Sequence, residues 1–310
     1  MEKKIVIAVE DSVYARRAVE YAVKMGFVIK DLHYVLFNVQ PTISDYLLHD
    51  THINPQARAA LKDVIAKNQE TSENLLGDFK TLITGKGIDE KMVETVTQPR
   101  VMGIAKDILN YSKQRLCDAI LLGRRGVSKL EEAFMGSVSN TVIEHASTIP
   151  IWAVGGEVGS SSKIMLAIDG SESALRAVDH ISVMIGDNAD MKVTLLHVTP
   201  RLRDYCTIEF DEEGDVVEEL ITQGDRQCVE SFYLHAQQRF REAGVEESQI
   251  DIREVQSVIN VGKTIVDEVD KEQCGTLVLG SRGVSESFFL GGVSRYCFNK
   301  ASNCAVWIVP

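Results

Sequence analysis

The chain has 310 residues, 45% hydrophobic and 25% charged, with a net charge of −12. That length suggests two domains of roughly 150 residues each, and the composition gives each a full core. An acidic chain with no block of lysines or arginines lacks the basic surface that a sequence-independent grip on nucleic acid needs. No apolar stretch approaches a membrane span, so neither nucleic acid nor membrane is an expected partner.

The opening MEKKIVIAVED holds five apolar residues before Glu10 and Asp11. That is too short for a signal-peptide core, and the expected location is cytoplasmic. Ile5–Val9 is apolar at successive positions, the mark of a strand covered on both faces. Ala15, Ala18, Val19, Ala22 and Val23 then recur at helical spacing. A second strand is predicted near 33–39. YLLHDTH after it carries His49 and His52 near Asp45 and Asp50. Those residue types ligate metals, but no second cluster completes a site, so the segment reads as a loop beside a pocket. Pro55 suits the first turn of a long helix over 55–84. Strands follow near 92–97 and 118–123. Next comes GRRGVSKLEEAFMGS at 123–137, a predicted helix Ser137–Ala146, and a closing strand IPIWAV at 149–154.

The chain then repeats itself. KIVIAVEDSVYARRAV (4–19) aligns without gaps on KIMLAIDGSESALRAV (163–178), with eight of sixteen positions identical. VLFNVQP matches TLLHVTP, CDAILLGRRGVS matches CGTLVLGSRGVS, and IPIWAV matches CAVWIV, so Trp152 and Trp307 are equivalent. A period of roughly 155 residues is a domain length, far beyond a solenoid repeat. The joint is GGEVGSSS at 155–162, whose composition suits a flexible linker. The domains are therefore expected at 1–156 and 157–310. The second half has strands near 163–168, 192–198, 250–256, 275–280 and 305–309, and a long helix over 217–243. Within it, FDEEGDVVEEL (210–220) reads as a solvated loop entering that helix. Strand–helix alternation predicts two five-stranded parallel open sheets covered by helices, an α/β architecture of Rossmann type. The six cysteines form no CxxC pair and are expected to be small buried hydrophobes.

In such sheets ligands bind beyond the carboxyl ends of the strands. Gly123 begins the loop at that edge, and Gly123 and Gly126 permit positive φ and close backbone approach. Gly136-Ser137 opens a helix whose first amides have no internal partner and carry the positive end of its dipole. Ser137 and Ser139 add hydroxyl donors. Together these describe a phosphate cradle. Arg124 and Arg125 read either as phosphate or partner ligands or as ordinary surface residues. No Walker lysine follows a glycine loop, and no nucleophile motif is present, so rapid hydrolysis is not expected.

These residues resemble the universal stress protein family. Gly123, Gly126, Gly136 and Ser137 match its nucleotide signature: Gly, two residues, Gly, nine residues, Gly, then Ser or Thr. The resemblance spans the chain as two tandem domains and implies ATP as ligand, with magnesium where the first-strand carboxylate supports it. By position, it implies that Gly123, Arg124, Arg125 and Gly126 hold ribose and phosphate, and that Gly136, Ser137, Val138 and Ser139 hold the phosphates. It likewise implies that Val39 meets adenine through its backbone and that Ala8, Val9 and Glu10 line the pocket. Glu10 departs from the family's usual Asp. In the second half, Asp169 and Val198 are in place, with Gly280, Arg282, Gly283, Gly291, Gly292 and Ser294 forming a degenerate loop. Only seven residues separate Gly283 from Gly291, and Gly292 replaces the serine. The first half therefore ranks as the better site.

The family's last strand typically mediates dimerisation. Here both copies are in one chain, which implies an internal pseudo-dimer. Trp152 and Trp307 are then placed either at the seam or in an ordinary core. The resulting expectation is a nucleotide-dependent regulator, homodimeric, with a protein partner the sequence does not name. A nucleotide-independent scaffold and a slow ATPase are the alternatives.

Overall fold

The computed structural model describes residues 2–43, 54–124, 137–186, 188–200, 212–282 and 290–310. The first half runs β1 (Lys3–Ala8), α1 (Val13–Gly26), β2 (Leu32–Gln40), α2 (Pro55–Thr84), β3 (Val93–Pro99), α3 (Ile104–Gln114), β4 (Ala119–Gly123), α4 (Ser137–His145) and β5 (Ile151–Val154). The second half repeats the order: β6 (Ser160–Ile168), α5 (Glu172–Ile185), β7 (Lys192–Thr199), α6 (Glu212–Glu242), β8 (Ile250–Gln256), α7 (Val261–Glu272), β9 (Cys274–Gly280), α8 (Gly292–Lys300) and β10 (Ala305–Val309). All ten expected strands are present. α6 begins at Glu212, so most of the stretch read as a loop is helix, and residues 210 and 211 lie outside the described residues.

The two expected sheets are one. Ten strands run in the order β3-β2-β1-β4-β5-β10-β9-β6-β7-β8. Every pairing is parallel except β5 with β10, which is antiparallel and joins the halves. Successive strand residues enter different cores, as continuous apolar runs require. Ile5 and Ile7 pack with α1 and α2, while Val6 packs with α3 and α4. Each core continues across the seam into the second half.

Local signals set the helix starts. The Ser12 hydroxyl accepts from Ala15 N–H and caps α1, and Ser171 does the same for α5 through Ala174 N–H. Asn54 caps α2, with Pro55 in its first turn. The apolar stripe of α1, with Ala15, Ala18, Val19, Ala22 and Val23, is buried.

At the seam Trp152 faces Trp307 in register, and the indoles stack at 4.0 Å with an interplanar angle of 2°. Each indole donates into the other half: Trp307 Nε1–H to Tyr21 Oη at 3.0 Å, and Trp152 Nε1–H to His180 Nε2 at 3.0 Å. Tyr21 and His180 occupy matching positions in α1 and α5, so the pair crosses over. Both tryptophans are fully buried, and burial of one such ring is worth about 3 kcal/mol.

The linker is packed instead of loose. Arg17 Nη1 donates to Gly155 O at 3.0 Å, and Lys24 Nζ donates to Val158 O at 2.8 Å. A side chain at Gly156 would overlap the carbonyl of Ser302. The glycines here allow close approach between the halves, which composition alone does not distinguish from flexibility.

Candidate functional site

β1 and β4 lie side by side, with β2 beyond one and β5 beyond the other, so the strand order reverses between them. The ends of β1 and β4 therefore bound the cleft where such sheets bind ligands. Ala8 is half-buried, Val9 is buried and Glu10 is exposed at the end of β1. Val9 N–H donates to Phe37 O at 2.9 Å, and the last β1–β2 pair is Ala8 with Phe37. Val39, two residues further along, presents its main-chain groups on the same side, past the end of that ladder. That edge suits a planar ring with a donor and an acceptor.

Gly123 ends β4 with its backbone against the amino end of α1. An added Cβ would overlap the main chain of Tyr14 and lie 2.8 Å from Ala15 N. Gly123 is not among the residues with positive φ, so close approach, not φ, is what glycine supplies here. Gly280 in the second half sits against Ser173 and Ala174 of α5 in the same way. Each glycine thus brings a helix amino end to the cleft, and a second helix, α4 or α8, starts beside it. Two dipole amino ends at one edge favour an anion.

The first residues of α8 are described from 290 onward. Gly291 caps it, and the first helical bond runs from Arg295 N–H to Gly291 O at 2.8 Å. The amides of Gly292, Val293 and Ser294 therefore have no intrahelical partner. Among the described residues an added Cβ at Gly292 meets nothing within 4 Å, so none of them closes the mouth. In the first half Ser137 begins α4, and Val138 is half-buried. Arg125, Gly126 and Gly136 lie outside the described residues, as do Gly283 and the histidines of YLLHDTH.

Several expected ligands have other partners. The Ser139 hydroxyl donates to Gly123 O at 3.2 Å, and Ser294 repeats this with Gly280 O at 2.7 Å. These hydroxyls tie the helix to the strand end. Arg124 is 4% exposed and turns away from the cleft into the second half, where it meets main-chain carbonyls. It is neither a surface residue nor a wall of the cleft. The main-chain carbonyl of Arg282 is held by the Ser173 hydroxyl, while the residue itself is exposed. Asp169 accepts from Ser171 N–H at 3.1 Å, whereas in the first half Ser12 N–H donates to the Glu10 main-chain carbonyl at 2.8 Å. The longer Glu10 does not close that turn through its carboxylate. Val198 is buried in β7, paired with Val255.

Other residues shape this edge, among them His197 and its counterpart Asn38, for which a structural role in the strand is the expectation from sequence. Asn38 Nδ2–H donates to Val9 O at 2.7 Å, and the matching His197 Nδ1–H donates to Ile168 O at 3.2 Å. Both fix the carbonyl at the first strand's end, and a polar residue at one place in both apolar strands is the signal for them. The Asp107 carboxylate accepts from the amides of Val101, Met102 and Gly103 at 3.0–3.3 Å, shaping the loop after β3. Burial pushes the thiols of Cys117 and Cys274 up to about 11 and those of Cys297 and Cys304 to about 12, which makes them poor nucleophiles. Cys228 departs from expectation by being exposed.

Comparison with known proteins agrees with the internal repeat. The family model described as "Universal stress protein family" matches residues 1–155 and again 161–310. A universal stress protein of Bacillus subtilis, YxiE, is 32% identical over 90 residues, covering 28% of this chain and 57% of that protein. The match thus spans little more than half the length of that relative. A crystal structure of a universal stress protein from Archaeoglobus fulgidus superposes with a TM-score of 0.64 at 19% identity, covering 99% of this chain and 97% of that one. A functionally unknown protein from Pseudomonas aeruginosa, PA1789, gives 0.55 at 15% identity, over 99% and 92%. At those identities the structures speak for the fold alone.

Proposed function

The chain belongs to the universal stress protein family, carrying its domain twice, and from that premise we propose that it binds an adenine nucleotide at the mouths of α4 and α8. The observation that carries this is the mouth of α8, with three amides free of intrahelical partners beside the amino end of α5. The first half offers the same architecture, with the full glycine signature on its loop. The phosphates lie on the amides, and the base lies along the Val39 edge. ATP is the nucleotide the signature implies, with magnesium near Glu10. The first half is the tighter site, because its loop has the longer spacing and keeps the serine.

The protein acts as a nucleotide-dependent regulator of a stress response in the cytoplasm, handing a changed surface to a protein partner. Association of two copies into a homodimer must use a surface other than β5 and β10, since those strands already pair with each other. Turnover is slow or absent, a reading supported by the lack of a Walker lysine after either glycine loop in the sequence. Titration of nucleotide-free protein with ATP and magnesium tests the reading. Saturable binding is expected, and its absence at millimolar ATP overturns the proposal.

A scaffold indifferent to nucleotide is the rival reading, favoured by the missing serine at Gly292. Gly136→Val separates the two: a scaffold keeps its stress phenotype, and a regulator loses it.

A further inference from the structure

Arg124 is the first residue past β4, at the root of the first-half glycine loop. Its N–H donates to Val154 O at 2.8 Å, in the ladder direction of β5. Its side chain crosses the seam. Nη1–H donates to Phe298 O at 2.6 Å, Nη2–H donates to Ala301 O, and the guanidinium carbon lies 5.1 Å from the centre of the Phe298 ring. The linker is shaped to admit it, because a Cβ at Gly155 would lie 3.3 Å from three Arg124 atoms. Among the described residues no carboxylate pairs with this guanidinium. Burial pushes it down to about 10, which leaves it cationic at neutral pH.

Phe298 and the C-cap residue Ala301 lie beyond the last helical bond of α8, from Ala301 N–H to Cys297 O, where carbonyls lack intrahelical partners and carry the negative end of the dipole. The amino end of the same nine-residue helix is the mouth formed by Gly292, Val293 and Ser294. A cation from the first half therefore holds one end of a helix whose other end faces the second-half cleft. The reverse contact is missing. Ser281 stands where Arg124 stands, with its N–H on Val309 O at 2.7 Å, and it has no hydrogen bond to α4 among the described residues.

We propose that Arg124 is a positioning residue for the second-half anion mouth, so that the root of one nucleotide loop sets the binding helix of the other half. The coupling runs through the fork on the α8 carbonyls. The identity of the ligand rests on the function proposed above; the mechanical link does not.

The test uses the full chain with Arg124→Met, which removes the charge and the fork, and Arg124→Lys, which keeps the charge with a single attachment point. Amide hydrogen exchange is read over 292–300 and over 137–145. ATP with magnesium is titrated in a Gly136→Val background, so that the second half is read alone. Arg124→Met is expected to speed exchange across α8 by about tenfold while leaving α4 unchanged. It should also weaken the second-half affinity by about tenfold, with Arg124→Lys between the two. Unchanged exchange and affinity in Arg124→Met overturn the inference. So does equal acceleration of α4 and α8, which marks general destabilisation. So does a Gly136→Val chain that binds no ATP when the wild type does. If the wild type binds none, the proposed function falls, and the exchange measurement still decides the positioning role. Should Arg124→Met fail to fold, Arg124→Lys decides: exchange faster in α8 than in α4 supports the link, and a wild-type pattern overturns it.

Discussion

The two halves share a backbone plan and an identical seam tryptophan, yet what each half offers the other differs. Tyr21 receives one seam indole and His180 the other; Arg124 crosses the seam and Ser281 does not. In a dimer of identical chains each of these positions would have to serve both roles. Duplication within one chain frees each copy to fit its neighbour, so equivalent positions at the contact can differ. The clefts diverge too, through Glu10 against Asp169 and Ser137 against Gly292. An asymmetric seam joined to asymmetric clefts is what makes this chain more than two independent domains.

The largest test of that asymmetry removes an indole. Trp307→Ala takes the indole donor from Tyr21, which keeps only Thr276, and strips the facing ring of its stack, and about 3–5 kcal/mol of stability should be lost in chemical denaturation. Adding Trp152→Ala should cost less than the sum of the singles, with a coupling of about 1 kcal/mol from the lost stack. Strict additivity would show that the rings do not support each other.

The glycines at the strand ends come next. Gly123→Ala drives a methyl into the main chain of Tyr14, which cannot turn aside, and should cost about 3 kcal/mol. Gly280→Ala meets first the hydroxyl of Ser173, which can rotate, so about 1 kcal/mol is expected. Equal losses in thermal unfolding would mean that the two approaches are equally rigid.

The last effect is electrostatic and is absent at neutral pH. Burial pushes the His180 imidazole down to about 3 from an ordinary value near 6.5. Between those values the unfolded chain binds a proton that the folded chain refuses. Stability therefore falls as pH drops below about 6.5, by at most about 1.4 kcal/mol per pH unit, and the dependence ends below the folded value. His180→Gln keeps an acceptor for Trp152 and removes the titration. Denaturation midpoints at pH 7 and pH 5 should differ less in that variant than in the wild type; an identical difference would place the acid sensitivity elsewhere.

Much of this was legible in the sequence. Continuous apolar runs such as Ile5–Val9 specified strands buried on both faces, and the internal repeat placed all ten. The glycines announced a strand end that a helix approaches closely, although at Gly123 the reason is the Tyr14 backbone instead of its own φ. What periodicity does not carry is contact between the halves. Arg124 meets carbonyls 174 and 177 residues away, and nothing in its neighbours distinguishes it from a loop arginine. The linker glycines read as flexible for the same reason, since the packing partner of Gly156, Ser302, lies in the other half. The hydroxyls of Ser139 and Ser294 looked available for phosphate because the strand-end carbonyls that accept from them are invisible to a motif.

Calorimetric titration with ATP and magnesium, run side by side on wild type, Gly136→Val and Gly292→Val, decides whether nucleotide sits on the amides of α4 and α8. Saturable binding is expected in the wild type, with loss of the tighter component in Gly136→Val and of the weaker one in Gly292→Val. Three superimposable isotherms would contradict this, for then the exposed amides of α4 and α8 would not be where the nucleotide sits.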